Sequence, residues 1–155
     1  SSPMGLTIGS LHVRRSILIA ASPARVWEEF SDFDRIHAWL GRGHTLHRLD
    51  LEVGGTADLS VEIDDEERHF GGAVLVLEPE RELSFESNWH PPHAWPVPTR
   101  WTIRLTPMDG GTLVELFHHG FESLGAQAAD ELQGYEQGWD VKHLVALRAI
   151  VEASG

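Results

Sequence analysis

Residues 118–153 read HHGFESLGAQAADELQGYEQGWDVKHLVALRAIVEA: a strand end, a linker, then one long helix that closes the chain. At 100° per residue, Leu132, Tyr135, Trp139, His143, Ala146, Leu147 and Ile150 fall within about 60° of one line, which predicts an inward stripe. Val141, Leu144 and Val145 fall off that line, so the helix is apolar on a second side as well. Working outward, residues 17–33 read ILIAASPARVWEEFSDF. Here a strand (Leu11–Ala21) turns at Ser22-Pro23 into a short helix, with Ser as N-cap and Pro at the first helical position, where its missing N–H costs nothing. Val26, Trp27, Phe30 and Phe33 follow at helical spacing. Asp32–Leu40 predicts a second short helix, and Gly41–Gly43 releases the chain.

Between these two stretches everything is strand-like: Thr45–Val53, Thr56–Ile63, His69–Leu77, Glu82–Trp89, Thr99–Thr106 and Thr112–His119. Ala57, Leu59, Val61 and Ile63 alternate with Asp58, Ser60 and Glu62, the period-two pattern of a strand with one face on a core. Leu83, Phe85, Ser87 and Trp89 share a face, as do Trp101, Ile103 and Leu105. The connections Gly54-Gly55, Asp64-Asp65-Glu66, Glu78-Pro79-Glu80 and Asp109-Gly110-Gly111 are turn-like and short, which predicts consecutive antiparallel pairing. The sheet must then wrap around the last helix, an arrangement that encloses space.

Composition narrows the function classes. A chain of 155 residues is one domain by size and buries roughly 68–70% of its unfolded surface. Ser1–Gly5 read as a cloning remnant or frayed terminus, residues 1–10 as lying outside the fold, and 11–155 as a single domain. Acidic residues number 24 against 12 basic, a formal charge of −12 that disfavours nucleic acid and anionic membrane surfaces as partners. Arg14, Arg15, Arg42 and Arg48 are scattered and read as solvated surface. Cysteine is absent, which removes disulfides and thiolate chemistry. No run approaches the length of a membrane span or a signal peptide, so a cytoplasmic location is the expectation.

The VW of SPARVWEEFSDF, the Trp of HAWL, the Gly-Gly opening a strand, EPERELSFESNW, GTLVELFHHGF and the GW of the terminal helix together resemble the START/Bet-v-like, or SRPBCC, superfamily. The resemblance covers about residues 14–152 and is strongest to the heat-shock ATPase activator-homologue branch. It implies an α+β helix-grip fold: a curved antiparallel sheet of about seven strands wrapped around a long C-terminal helix, with two short helices after the first strand. Proteins of this fold bind lipids, hormones or polyketides, cyclise polyketides, or regulate chaperones, so the fold alone does not fix an activity. The resemblance implies an aliphatic residue four positions after the Trp of GW. This chain has His143 there.

The first functional reading is a binding protein for a small hydrophobic, ring-containing ligand. Trp39, Leu59, Phe85, Trp89, Trp95, Trp101, Tyr135 and Trp139 are the expected lining, with His118 and His143 as polar contacts. The rigid HPPHAWPVP segment at 90–98 reads as a lip, with His90, His93 and Trp95 at the mouth. An alternative is a cyclase or aromatase using His118 and His143 as acid and base. No carboxylate stands at a spacing that would orient either ring, which leaves binding ahead of catalysis. A chaperone-regulating interaction module is the third reading, implied by the family resemblance. No cofactor is expected. No metal site is expected either, since neither His90/His93 nor His118/His119 has a recognised ligand spacing. The second apolar side of the terminal helix needs a cover: within the chain Leu6–Leu11 or the first helix, or, with Gly134 and Gly138 beside Val145, a second copy in a weak homodimer.

Overall fold

The computed structural model describes residue 8 and residues 11–41, 44–92, 94–122, 124 and 142–153. Seven strands run β1 (His12–Ile19), β2 (Thr45–Leu49), β3 (Thr56–Ile63), β4 (Glu66–Glu78), β5 (Glu82–Trp89), β6 (Thr99–Met108) and β7 (Gly111–His119). Between β1 and β2 lie α1 (Pro23–Trp27), a 3-10 turn (Glu28–Phe30) and α2 (Phe33–Leu40), and α3 (Lys142–Ala153) closes the fold. The sheet is antiparallel, in the order β1-β7-β6-β5-β4-β3-β2. β2 to β7 form a meander, and β1 returns to pair with β7. This is the α+β helix-grip architecture expected from the sequence.

The short helices start where their caps dictate. Ser22 accepts from the Arg25 N–H at 3.2 Å with Pro23 behind it, and Asp32 accepts from the Arg35 N–H at 2.9 Å. Glu29, 4% exposed, is neutralised by Arg25 at 2.7 Å and Arg35 at 3.2 Å, which locks α1 to α2.

Five strands differ from their expected limits, β1 and β7 by only one or two residues at an end. β2 stops at Leu49 because the Asp50 carboxylate takes the Thr56 N–H at 3.0 Å and the Arg48 guanidinium, tying off the loop. β4 begins at Glu66 because Asp64 and Asp65, with φ of 53° and 63°, make a two-residue turn that pairs Ile63 directly with Glu66. β6 likewise runs on to Met108, paired with Gly111 across the Asp109-Gly110 tip. Curvature enters at register shifts between Leu46 and Arg48 and between Val74 and Val76. Gly71, three residues before the second shift, has φ +140°, and a Cβ there would sit 2.1 Å from the Ala57 carbonyl oxygen. Only glycine allows β3 and β4 to approach so closely.

The main core lies between the concave face of the sheet and α2 and α3, centred on Phe30, Trp39, Leu59, Phe85, Ile103 and Leu147. α3 packs on both β1 and α2. Its buried side chains are His143, Leu144, Leu147 and Val151, while Ala146 and Ile150 are half-buried. The buried stripe is therefore turned by roughly a quarter of a revolution from the expected one. Leu144, placed by the sequence off the inward stripe on a second apolar side, is fully buried, because contact with two elements at an angle widens the covered sector. Val145 is exposed, as expected. Leu132, Gly134, Tyr135, Gly138, Trp139 and Val141 lie outside the described residues, as do residues 1–7, 9 and 10 of the expected N-terminal extension.

The convex face carries a buried polar ladder. The Ser84 hydroxyl donates to Glu82 at 2.7 Å and meets Thr102 Oγ1 at 2.9 Å, and Thr102 meets His119 Nε2 at 2.7 Å. Arg104 donates to the other Glu82 oxygen at 2.7 Å. Among the described residues no helix is long and apolar enough to cross a membrane.

Candidate functional site

Strand register builds the site. Phe85, Trp101 and His118 are direct partners across β5, β6 and β7, and Leu59, Phe70 and Trp89 form the neighbouring row across β3, β4 and β5. All project from the concave face. Trp101 is the hub, its ring 5.6 Å from Phe85, 5.8 Å from His44 and 5.9 Å from both Phe70 and His118. His143 enters from α3, 6.5 Å from Trp101 and 4.9 Å from His44. The row continues through Phe70 to Trp89 at 5.4 Å and Trp95 at 6.3 Å, where Phe121 and Leu124 make a second apolar cluster. A cleft of about 350 Å³ lined by His44, Thr45, Ser60, Val61, Glu62 and Glu67 reaches the His44 edge.

Hydrogen bonding fixes the protonation of two of these imidazoles. Thr99 spends its one hydroxyl proton on the Ser87 carbonyl at 2.7 Å, so its oxygen accepts from His118 Nε2 at 2.7 Å. His118 is thus the Nε2–H tautomer, and its basic nitrogen is Nδ1. Burial, with a smaller push from His119, holds its pKa down to about 3. His44 donates to the Leu40 backbone, which leaves Nε2 as its basic nitrogen, buried without a hydrogen-bond partner among the described residues. Burial first, then His143 and Lys142, lowers its pKa to about 3. Both rings are neutral acceptors at physiological pH. A base with so low a pKa takes up a proton poorly, and a neutral ring of this tautomer has no proton to spare as an acid.

The other expected site residues divide. Leu59 and Phe85 are buried on the concave face, Trp89 is half-buried, and Trp95 is 9% exposed beside it. Asn88 clasps the Trp95 backbone at 2.9 and 3.2 Å. Trp39 is fully buried in α2, with its Nε1–H donated to the Glu29 carbonyl at 3.0 Å and its ring 5.0 Å from Phe30. Tyr135, Trp139 and His93 lie outside the described residues. His90 sits on the convex face, 5.7 Å from the ring of His69, away from the Trp101 cluster. His44, Phe70 and Phe121 were not picked out from sequence. Parity was the available signal: His44 is in step with Leu46, and Phe70 with Val74, whose side chains are core.

A curved antiparallel sheet closed by a C-terminal helix, with aromatic and imidazole groups converging between them, defines a helix-grip protein of the START-like class. The family model described as activator of Hsp90 ATPase homolog 1-like protein matches residues 20–152, and the chain belongs to that family, a branch of the SRPBCC superfamily. Among solved structures, a protein from Arthrobacter aurescens is 19% identical at a TM-score of 0.70, the match covering 96% of this chain and 92% of that one. The Aha1 dimer from Colwellia psychrerythraea is 19% identical at a TM-score of 0.61, covering 91% of this chain and 96% of that one. DynU16, from the dynemicin biosynthetic locus, is 19% identical at a TM-score of 0.62, over 94% of this chain and 49% of that one. No curated protein matches the chain.

Proposed function

We propose that the chain binds a small hydrophobic, ring-containing ligand between the concave sheet and α3, and that the ligand presents a hydroxyl to the buried imidazoles. The carrying observation is the contact of Trp101 with His44, Phe70, Phe85 and His118, two of whose rings are neutral imidazoles held as acceptors. Apolar walls with few convergent polar atoms suit such a ligand. A neutral acceptor nitrogen favours a phenol or enol over a carboxylate, which would need the ring protonated at a cost set by its lowered pKa.

Calorimetry with 2-naphthol and 2-naphthoate tests this. Naphthol is expected to bind, to change tryptophan emission, and to bind more tightly than naphthoate above neutral pH. His44→Phe, which keeps a ring and removes the acceptor, should weaken naphthol about tenfold, the worth of one buried hydrogen bond. Equal affinity for both compounds, or tighter naphthoate, would overturn the reading.

A polyketide-cyclase-like activity at His118 and His143 is a second reading, favoured by the place of DynU16 in a biosynthetic locus. The weak basicity of His118 argues for binding without turnover. Regulation of a chaperone draws on the family description. Weak self-association through the exposed Val145 side of α3 draws on the dimeric Colwellia relative.

A further inference from the structure

The convex face brings together histidines that are far apart in sequence. His69 precedes the inward Phe70, and Asp58 lies between the inward Ala57 and Leu59, so both point away from the core. Ser60 pairs with His69 in register, and the His90 N–H donates to the His69 carbonyl at 2.9 Å, which anchors the end of β5 over β4. The rings of His47, His69 and His90 stack in series at 4.8 and 5.7 Å.

From this geometry we infer a binding site for a borderline divalent cation, zinc foremost, formed by Asp58 Oδ1, His69 Nδ1 and His90 Nε2. These donor atoms lie within 4.8 Å of one another. His69 Nδ1 is 2.9 Å and His90 Nε2 is 3.9 Å from Asp58 Oδ1. Two ligands on one tetrahedral zinc, each at about 2.0–2.1 Å, stand about 3.3 Å apart, so the observed spacings bracket the required one. The 3.9 Å contact is too long for a hydrogen bond yet suits two ligands sharing an ion. Behind the site, Glu67 Oε1 lies 3.1 Å from His69 Nε2, the carboxylate partner that orients a ligating imidazole and raises its basicity. Two imidazoles and one carboxylate select zinc, copper or nickel over magnesium or calcium. Three protein ligands leave a position open toward the cleft of about 340 Å³ bounded by His69, His90, Pro91 and Pro92, where a small exchangeable ligand can complete the shell. The charge of −12 favours the cation's approach.

The test is calorimetric titration of tag-free protein with zinc chloride near neutral pH, with the visible absorption of added cobalt reporting geometry. One ion per chain is expected, with a tetrahedral cobalt spectrum. His69→Gln, His90→Gln and Asp58→Asn should each weaken zinc by roughly tenfold or more, and Glu67→Gln by less. His37→Gln, on the exposed face of α2, and His47→Gln should leave affinity unchanged. Melting curves without metal check that each variant folds, which their solvent-facing positions favour. Absence of saturable binding, or an equal loss in His37→Gln, would overturn the site. Loss in His47→Gln with none in His90→Gln would also overturn it, by moving the ion to the neighbouring His47, Glu67 and His69 group.

Discussion

Mild acid should unfold this protein well before its carboxylates are protonated. His44 and His118 fall from 6.5 to about 3 on folding, and His119, behind the polar ladder, to about 4, in each case with burial as the largest cause. A lowered folded pKa means that the unfolded chain takes up protons which the folded chain refuses. Stability is therefore full above about pH 6.5, falls as pH drops below that value, and levels only below the folded values. At about pH 5 each histidine contributes a loss of about 1.5 units times 1.36 kcal/mol, or about 2 kcal/mol. The three together remove about 6 kcal/mol, comparable with the whole stability of an ordinary domain. His69 works in the opposite sense, since hydrogen bonding to Asp58 raises its pKa, but it is near the surface and offsets little. Urea unfolding followed by circular dichroism at about pH 7.5, 6.5, 5.5 and 5 measures the slope. His119→Gln, whatever its effect at neutral pH, should remove about a third of the decline. Stability constant within about 1 kcal/mol from pH 7.5 to 5, or an undiminished slope in that variant, would refute the reasoning.

Other outcomes follow from single contacts. Asp32→Ala removes the cap of α2 and should cost about 1 kcal/mol, seen as a lower urea midpoint. Gly71→Ala forces a Cβ against the Ala57 carbonyl at a φ that alanine rarely adopts, so a loss of about 1–3 kcal/mol is expected in the same assay. Glu29→Gln leaves Arg25 and Arg35 without their shared anion, and its melting temperature should fall by several degrees while its fold is kept. The proposed self-association through Val145 predicts that Val145→Glu sediments as a monomer where the unaltered chain associates, with unchanged stability.

Legibility followed the range of the forces involved. β3 and β5 were read to the residue, Thr56–Ile63 and Glu82–Trp89, because alternation is a local signal and turns flank both strands. The start of β4 was missed because two aspartates adopt left-handed backbone, a conformation more often supplied by glycine or asparagine. On α3 the sequence pattern gives apolar positions, but the side that turns inward depends on β1 and α2 together, so Leu144 was misplaced. Phe85, Trp101 and His118 could be put on one face by parity, and the same parity puts His44 in step with the buried Leu46, but its approach to His143 depends on the packing of α3. The His47, His69 and His90 stack was illegible, because it depends on which strands are neighbours and in what register.

The pairing of β1 with β7 sets the tempo of folding. His12 meets His119 and Ile19 meets Thr112, so the first strand waits for partners about a hundred residues later. Such distant closure must be made against loop entropy before it is rewarded, which places the chain among slow, millisecond-to-second folders. During synthesis β1 emerges long before β7 exists, with its backbone donors and acceptors unsatisfied and Val13 and Ile19 uncovered. The meander from β2 onward can assemble behind it, and the nascent chain then carries a free strand and an open sheet edge until the last third is made. That interval is when it is most exposed to edge-to-edge aggregation and most dependent on a chaperone.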